Sequence, residues 1–358
     1  VKRSARALAL LLAAAAVALT VAMLGAPTTE RHRLYVFGTL AELELRGAEA
    51  AAAATAIARR FALRGREWHP WQDSDLTRLN RALERGEAGV PVASIRALIQ
   101  RARPLVHESG RRFDPGAGRL IARWGFHTDE WPARGAPPST GELIQWRDRP
   151  QSLLALELRG EVVHGPAYGL ALDFNAMAEG AVIEEATALL RTHGVRDALL
   201  NLGGDVYALG NAGRRPWRVA LADGEGGVLG SVALGDGEGV FVSGSYAKYR
   251  RDGAVRRAHV IDPRDGLPVQ HTRLAAVLHT DPVRTDAAAT ALLVAGTHEW
   301  REVLAGMGLG CALLIDAVGA LHITSAMRAR LLLSRMFEVT VEVDAGTACV
   351  ATPAPAHD

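Results

Sequence analysis

A chain of 358 residues that is 49% hydrophobic, with 37 glycines and 16 prolines, has enough apolar surface to bury a substantial core. That excludes a disordered or low-complexity protein and suits one large domain or two fused smaller ones. The formal net charge is only +2, and Lys2, Arg3 and Arg6 all precede residue 27. The remainder of the chain is therefore close to neutral and carries no electrostatic footprint for nucleic acid.

Residues 1–26 are expected to form an export segment: basic at Lys2, Arg3 and Arg6, apolar from Ala7 to Ala26, and polar from Thr28 onward. The apolar stretch is long enough to suit an uncleaved membrane anchor as well as a cleaved signal, and both place the remainder on the extracytoplasmic side of the membrane, in the periplasm or its equivalent. No cysteine comes after the stretch until Cys311, which argues against a lipid-anchored lipoprotein. Cys311 and Cys349 are expected to be small buried residues rather than a disulfide pair.

Beyond the leader, residues 33–46 alternate apolar and polar and predict a strand hairpin. The alanine-rich run Ala48–Leu63 predicts a helix. Short apolar or alternating segments bounded by Gly, Pro or Asp predict strands at 153–158, 198–202, 217–222 and 274–279. Helices are expected at 94–109, 176–193, 285–296 and 298–306, and a surface loop at Trp131–Gly141. The class is mixed α/β (α+β), with one domain spanning 30–350.

Four stretches carry chemistry. In Arg112-Phe113-Asp114-Pro115-Gly116-Ala117-Gly118, with Trp124-Gly125-Phe126 shortly after, a carboxylate and a glycine-rich turn lie near aromatics that can stack on a flat ring; alone, this pattern is a turn beside a buried Trp. Leu172-Asp173-Phe174-Asn175-Ala176-Met177-Ala178-Glu179-Gly180 leaves a strand and opens a helix, so Asp173 or Asn175 is either a plain N-cap or part of a phosphate site. Asn201-Leu202-Gly203-Gly204-Asp205 is a tight turn or a close backbone approach to a ligand, and is neither a dinucleotide fingerprint nor a P-loop. Asp286 and Thr290, four residues apart, share one helix face and can offer oxygens to Mg²⁺; the plain alternative is a cap with an outward threonine. His259 alone is an ordinary structural histidine more often than a base.

The order of these pieces changes their weight. FGT (37–39), DSDLTRLN (73–80), FDPGAG with WGF (113–126), LDFNAMAEG (172–180), LNLGGD (201–205), SGSY (243–246), HVIDPRDGLPV (259–269) and TDAAAT (285–290) together resemble the ApbE family of flavin transferases over roughly residues 33–325. The resemblance implies an ApbE-like fold with FAD in a central cleft, and Mg²⁺-dependent transfer of the FMN moiety of FAD to a threonine hydroxyl of a target protein, with release of AMP. It places FAD contacts at Phe37, Trp71, Arg112, Phe113, Asp114, Asp173, Glu179 and Ile261. Metal ligands fall at Ala176 (through its carbonyl), Asp286 and Thr290, and catalytic groups at His259 and Asp262, with Asp262 or Asp265 orienting or replacing the histidine. The acceptors it implies are exported or membrane proteins of electron-transfer complexes that carry an FMN-binding domain. Four positions depart from common family residues: Phe37 stands for Met, Glu179 for Lys, Asp265 for Thr, and Ala289 for an acid. Two alternatives use the same site: an FAD pyrophosphatase giving FMN and AMP, and a non-catalytic FAD-binding protein.

Overall fold

The computed structural model describes residues 29–334, 339–343, 345 and 349. The expected leader, 1–26, lies outside them, as do parts of the C-terminal end of the expected domain. In chain order the elements are β1 (Thr29–Val36), β2 (Thr39–Arg46), α1 (Ala50–Trp68), α2 (Asp75–Glu84), β3 (Ala88–Gly89), α3 (Ala93–Glu108), α4 (Gly118–Arg123), α5 (Thr140–Asp148), β4 (Glu157–Arg159) and β5 (Val162–His164). Next come α6 (Asn175–Thr192), β6 (Asp197–Leu202), β7 (Asp205–Leu209), β8 (Trp217–Ala222), β9 (Val228–Leu234), β10 (Gly239–Gly244), β11 (Tyr249–Asp252) and β12 (Val255–Ala258). The last are β13 (Thr272–His279), α7 (Pro282–Gly306), β14 (Ala312–Asp316), β15 (Leu321–Thr324), α8 (Ser325–Arg330), β16 (Leu331–Leu333) and β17 (Val339–Val343). Mixed α/β is the observed class.

Nine strands form the central sheet in the order β1-β2-β6-β7-β10-β13-β14-β15-β17. Its pairs are antiparallel except β15 with β17. The period-2 pattern of β13 shows why the sheet has two cores: Ala275 and Val277 face a large cluster built with the helices, whereas Leu274, Ala276 and Leu278 face a second cluster. The small sheet β16-β9-β8 closes that second face. Strands covered on both sides must be apolar on both, and β13 is buried at six of its eight positions.

The hairpin at 33–46 and the strands at 198–202, 217–222 and 274–279 lie within observed strands. Segment 153–158 differs: Leu153–Ala155 is a short 3₁₀ turn whose Ser152 hydroxyl accepts from the Leu154 amide, and only then does β4 begin. Leu153 and Leu156 are both buried, so the apolar spacing that reads as a strand is a turn dropping two leucines into the core. The helices expected at 285–296 and 298–306 are one run, α7, broken at Gly296 (φ 59°, ψ −169°), where an added Cβ would meet the His271 ring at 2.2 Å. The Trp131–Gly141 loop is tied down, its Ala133 amide donating to the Tyr249 carbonyl at 3.0 Å, and α5 starts inside it at Thr140 behind a Ser139 capping box.

The cysteine expectation is overturned. Cys311 and Cys349 form a disulfide with Cα atoms 4.6 Å apart, within the ordinary span for such a bond. Sequence spacing carries no information on pairing; the sheet order does, with β17 running parallel to β15, the strand beside β14. Among the described residues, no helix is long and apolar enough to cross a membrane.

Candidate active site

A cleft of about 470 Å³, in the usual range for small-molecule sites, opens where the β1–β2 turn, the start of α6, the β6–β7 turn, the end of β10, the segment 259–263 and α7 converge. The two-residue link between β1 and β2 is Phe37-Gly38, with φ of 52° and 72°. Positive φ at both positions is the hairpin turn that matches strand twist, and it normally takes Asn-Gly or Gly-Gly. A phenylalanine held there at a conformational cost lines the cleft and stacks 6.1 Å from Trp68, which fits a position selected for its side chain rather than for its turn.

At the inner end three carboxylates meet. Ligand oxygens of Glu179 on α6, Asp205 at the start of β7 and Asp286 on α7 lie within 4.8 Å of one another. The approach depends on Gly180: a Cβ there would sit 2.3 Å from the Pro282 carbonyl, so only glycine lets α6 and α7 touch by backbone. The same contact lets the Gly180 amide donate to Asp286 Oδ2 at 2.8 Å. Ala176, four residues earlier on α6, lines the cleft as well. Asp205 is fixed by the Val242 amide (2.8 Å), and Thr290 Oγ1, one turn beyond Asp286, lies 3.0 Å from Ser243 Oγ.

Burial pushes all three acids up: Glu179 through desolvation, Asp205 through desolvation and the charges of Asp286 and Glu179, and Asp286 through desolvation and Glu179. Three acids this close share protons or hold a cation. The all-oxygen set of carboxylates, hydroxyl and carbonyl suits a hard divalent ion such as Mg²⁺.

His259 lines the same cleft. Its backbone amide and its Nδ1 both reach the Lys248 carbonyl, at 3.1 and 3.2 Å. A carbonyl can only accept, so Nδ1 carries the proton and Nε2 keeps its lone pair. Desolvation, reinforced by the Lys248 charge, lowers the imidazole to about 4, so it is neutral near pH 7. Asp173, two residues before α6 begins, acts on it electrostatically, and itself pairs with His127 (Oδ2 to Nε2, 3.0 Å) while accepting the Asn175 amide at 2.8 Å. His127 stacks on Trp71 (5.3 Å), and Trp131 meets His259 edge-on (6.1 Å), with Trp71 and Trp131 both lining the cleft.

The ApbE family profile matches residues 37–314. The chain belongs to the ApbE family. It is 38% identical over 316 residues to a protein of Rhodobacter capsulatus named FAD:protein FMN transferase, a match spanning 87% of this chain and 60% of that one. A Treponema pallidum protein of the same name is 32% identical over 281 residues, 72% of this chain and 73% of its own length. Among solved structures, an ApbE protein of Thermotoga maritima superposes with a TM-score of 0.77 at 22% identity, over 86% of this chain and all of that one. The apo flavinyl transferase ApbE of Pseudomonas stutzeri gives 0.73 at 24%, over 85% and 97%. Both share the fold.

Of the residues expected at an ApbE site, Phe37, Trp71, Arg112, Phe113, Asp114, Asp173, Ala176, Glu179, His259, Ile261, Asp286 and Thr290 all line the cleft. Asp262 does not. Arg264 takes its carboxylate (Nη2–Oδ2 2.7 Å) and bridges to Glu299 (2.8 Å), which also binds Arg112 Nε (3.0 Å). Asp265 closes its own turn on the Leu267 amide at 2.8 Å and likewise stays out of the cleft. Neither orients His259. Asp114 spends Oδ1 on the amides of Gly116 (2.9 Å) and Leu153 (2.8 Å), so its carboxylate shapes the loop that Phe113 and Arg112 stand on. Glu179, expected at FAD, sits in the carboxylate cluster with Asp205 and Asp286.

Three residues at or beside the cleft escaped sequence reading. Asp205 was visible as the last letter of LNLGGD, but only the β6–β7 turn brings it to Asp286. His127 directly succeeds the WGF aromatics. Lys248 stands two residues after SGSY and carries no motif of its own.

Proposed function

We infer that this ApbE-family chain transfers the FMN moiety of FAD to a threonine hydroxyl of a partner protein, releasing AMP. The observation that carries this is one cleft lined both by an oxygen cluster fit for a divalent cation and by a neutral, proton-accepting histidine. The names of the relatives from Rhodobacter capsulatus and Treponema pallidum support flavin transfer as the reaction.

In this reading the aromatic rim, Phe37, Trp71 and Trp131, receives the isoalloxazine, and the start of α6 faces the pyrophosphate. Glu179, Asp205, Asp286, Thr290 and the Ala176 carbonyl would hold Mg²⁺. When bound, that ion neutralises charge on the pyrophosphate and its leaving group. His259 Nε2 accepts the proton of the incoming hydroxyl as its oxygen bonds to the phosphorus attached to riboflavin. The bond from that phosphorus to the bridging oxygen breaks, and AMP leaves with the electron pair. Asp173 holds His127 against Trp71 and biases His259 electrostatically, which makes it a positioning residue.

The Cys311–Cys349 bond supports an oxidising, extracytoplasmic compartment, in keeping with the expected leader and with exported or membrane acceptors. The test is to incubate the chain with FAD, Mg²⁺ and an FMN-binding domain, recording acceptor mass and AMP. A gain of one FMN that a chelator abolishes supports transfer. AMP without an acceptor supports the pyrophosphatase alternative, and bound FAD without AMP supports a binding protein.

A further inference from the structure

The cleft is short of cations for a ligand that carries a pyrophosphate. Six carboxylates line it, at Asp114, Asp129, Asp173, Glu179, Asp205 and Asp286, against two permanently cationic side chains, Arg112 and Lys248. Arg112 is already committed: its guanidinium is buried between Glu299 (3.0 Å) and Glu302 (2.6 Å). Lys248 is not. Among the described residues it forms no ion pair, and its half-buried side chain lines the cleft within electrostatic range of both His259 and Glu179. Its carbonyl holds His259, which fixes where the side chain starts. Composition sharpens the point. The sequence has only two lysines, Lys2 in the leader and Lys248 in the cleft, and every other basic side chain apart from histidine is arginine. A compact ammonium on a flexible stem tracks a phosphate that changes position during a reaction better than a planar fork does.

We propose that Lys248 binds the pyrophosphate of the dinucleotide as the cleft's own phosphate-binding cation, a role that rests on the reading of FAD as substrate. A charge-assisted contact of this kind, screened by water at a half-exposed site, corresponds to about tenfold in affinity.

The test uses the full chain with Mg²⁺ and two ligands, FAD and riboflavin, which lacks phosphate. Flavin fluorescence should show Lys248→Met binding FAD about tenfold more weakly than the unaltered chain, with riboflavin affinity unchanged and Lys248→Arg close to the parent. Unchanged riboflavin binding also shows that the variant cleft is intact. An amine-selective acetylating reagent, read by peptide mass, should label Lys248 freely in the riboflavin complex and not in the FAD complex, with Lys2 as internal reference. FAD binding unweakened by Lys248→Met overturns the proposal, as does equal protection of Lys248 by riboflavin. Failure of the unaltered chain to bind FAD at all sinks the functional reading instead.

Discussion

Lowering the pH should destabilise this protein through His259 in a way that one substitution removes. The imidazole titrates near 4 in the fold against an ordinary 6.5, because burial and Lys248 disfavour its charged form. The unfolded chain therefore binds the proton more tightly, and stability falls as pH drops through 6.5 toward 4. The full difference is on the order of 3 kcal/mol, but the ring is only half-buried and cleft water screens part of it, so about 2 kcal/mol is expected. The assay is urea unfolding at pH 7 and pH 4.5 for the parent and for His259→Gln, which keeps a polar group and cannot titrate. The parent should lose about 2 kcal/mol more than the variant between the two pH values. Parallel losses would refute the reasoning, because they would mean that the folded protein does not resist protonation of this ring. The same depression places the acid limb of FMN transfer that depends on Nε2 well below pH 6.5, provided Mg²⁺ is saturating.

Asp205→Asn should raise the metal-free stability at pH 7, since it removes one of three mutually repelling acids, while weakening Mg²⁺ binding at least tenfold; calorimetric titration and thermal unfolding measure the two effects. Gly180→Ala should cost more than about 2 kcal/mol by denaturant unfolding and also lose Mg²⁺ affinity, because its Cβ would strike the Pro282 carbonyl and part α6 from α7. Replacing Cys311 and Cys349 with serine should lower stability by roughly 3–4 kcal/mol from the loop they close, separated by 38 residues, with less effect on FAD affinity than on the unfolding midpoint.

Much of the fold was legible because its elements obey local rules. The β1–β2 hairpin alternates, α6 and α7 are long and bounded by turn residues, and even the break at Gly296 divided two helical runs where the chain itself does. The failures share a cause: they turn on contacts between residues far apart in sequence. Leu153–Ala155 has strand composition but is held as a turn by Asp114, a residue 39 positions away. Cys311 and Cys349 meet only because the sheet returns the chain. Motif order located nearly the whole cleft, yet it could not say which of two nearby acids faces inward. Asp262 belongs to the most conspicuous stretch and points to Arg264, whereas Asp205, at the end of a stretch that equally suits a tight turn, completes the carboxylate cluster.

That difference arises from where each acid finds its countercharge. Asp262 has Arg264 two residues on, and a guanidinium that also bridges Glu299 makes a closed surface network with no need of a ligand. Asp205 and Asp286 sit on β7 and α7 among apolar neighbours, bonded to the Val242 and Gly180 amides and to Glu179 but to no basic side chain. Buried acids with backbone donors but no basic partner are costly in the free protein, and a cation or a proton must supply what the chain withholds. The cost is borne where α6 and α7 touch at Gly180, so the helix contact that builds the core also sets the spacing of the cluster. If that coupling holds, saturating Mg²⁺ should raise the unfolding midpoint of the parent by several degrees and that of Gly180→Ala much less, as read by thermal unfolding with and without the ion. An equal rise in both would separate the metal site from the helix packing and show that the carboxylates reach their ion without it.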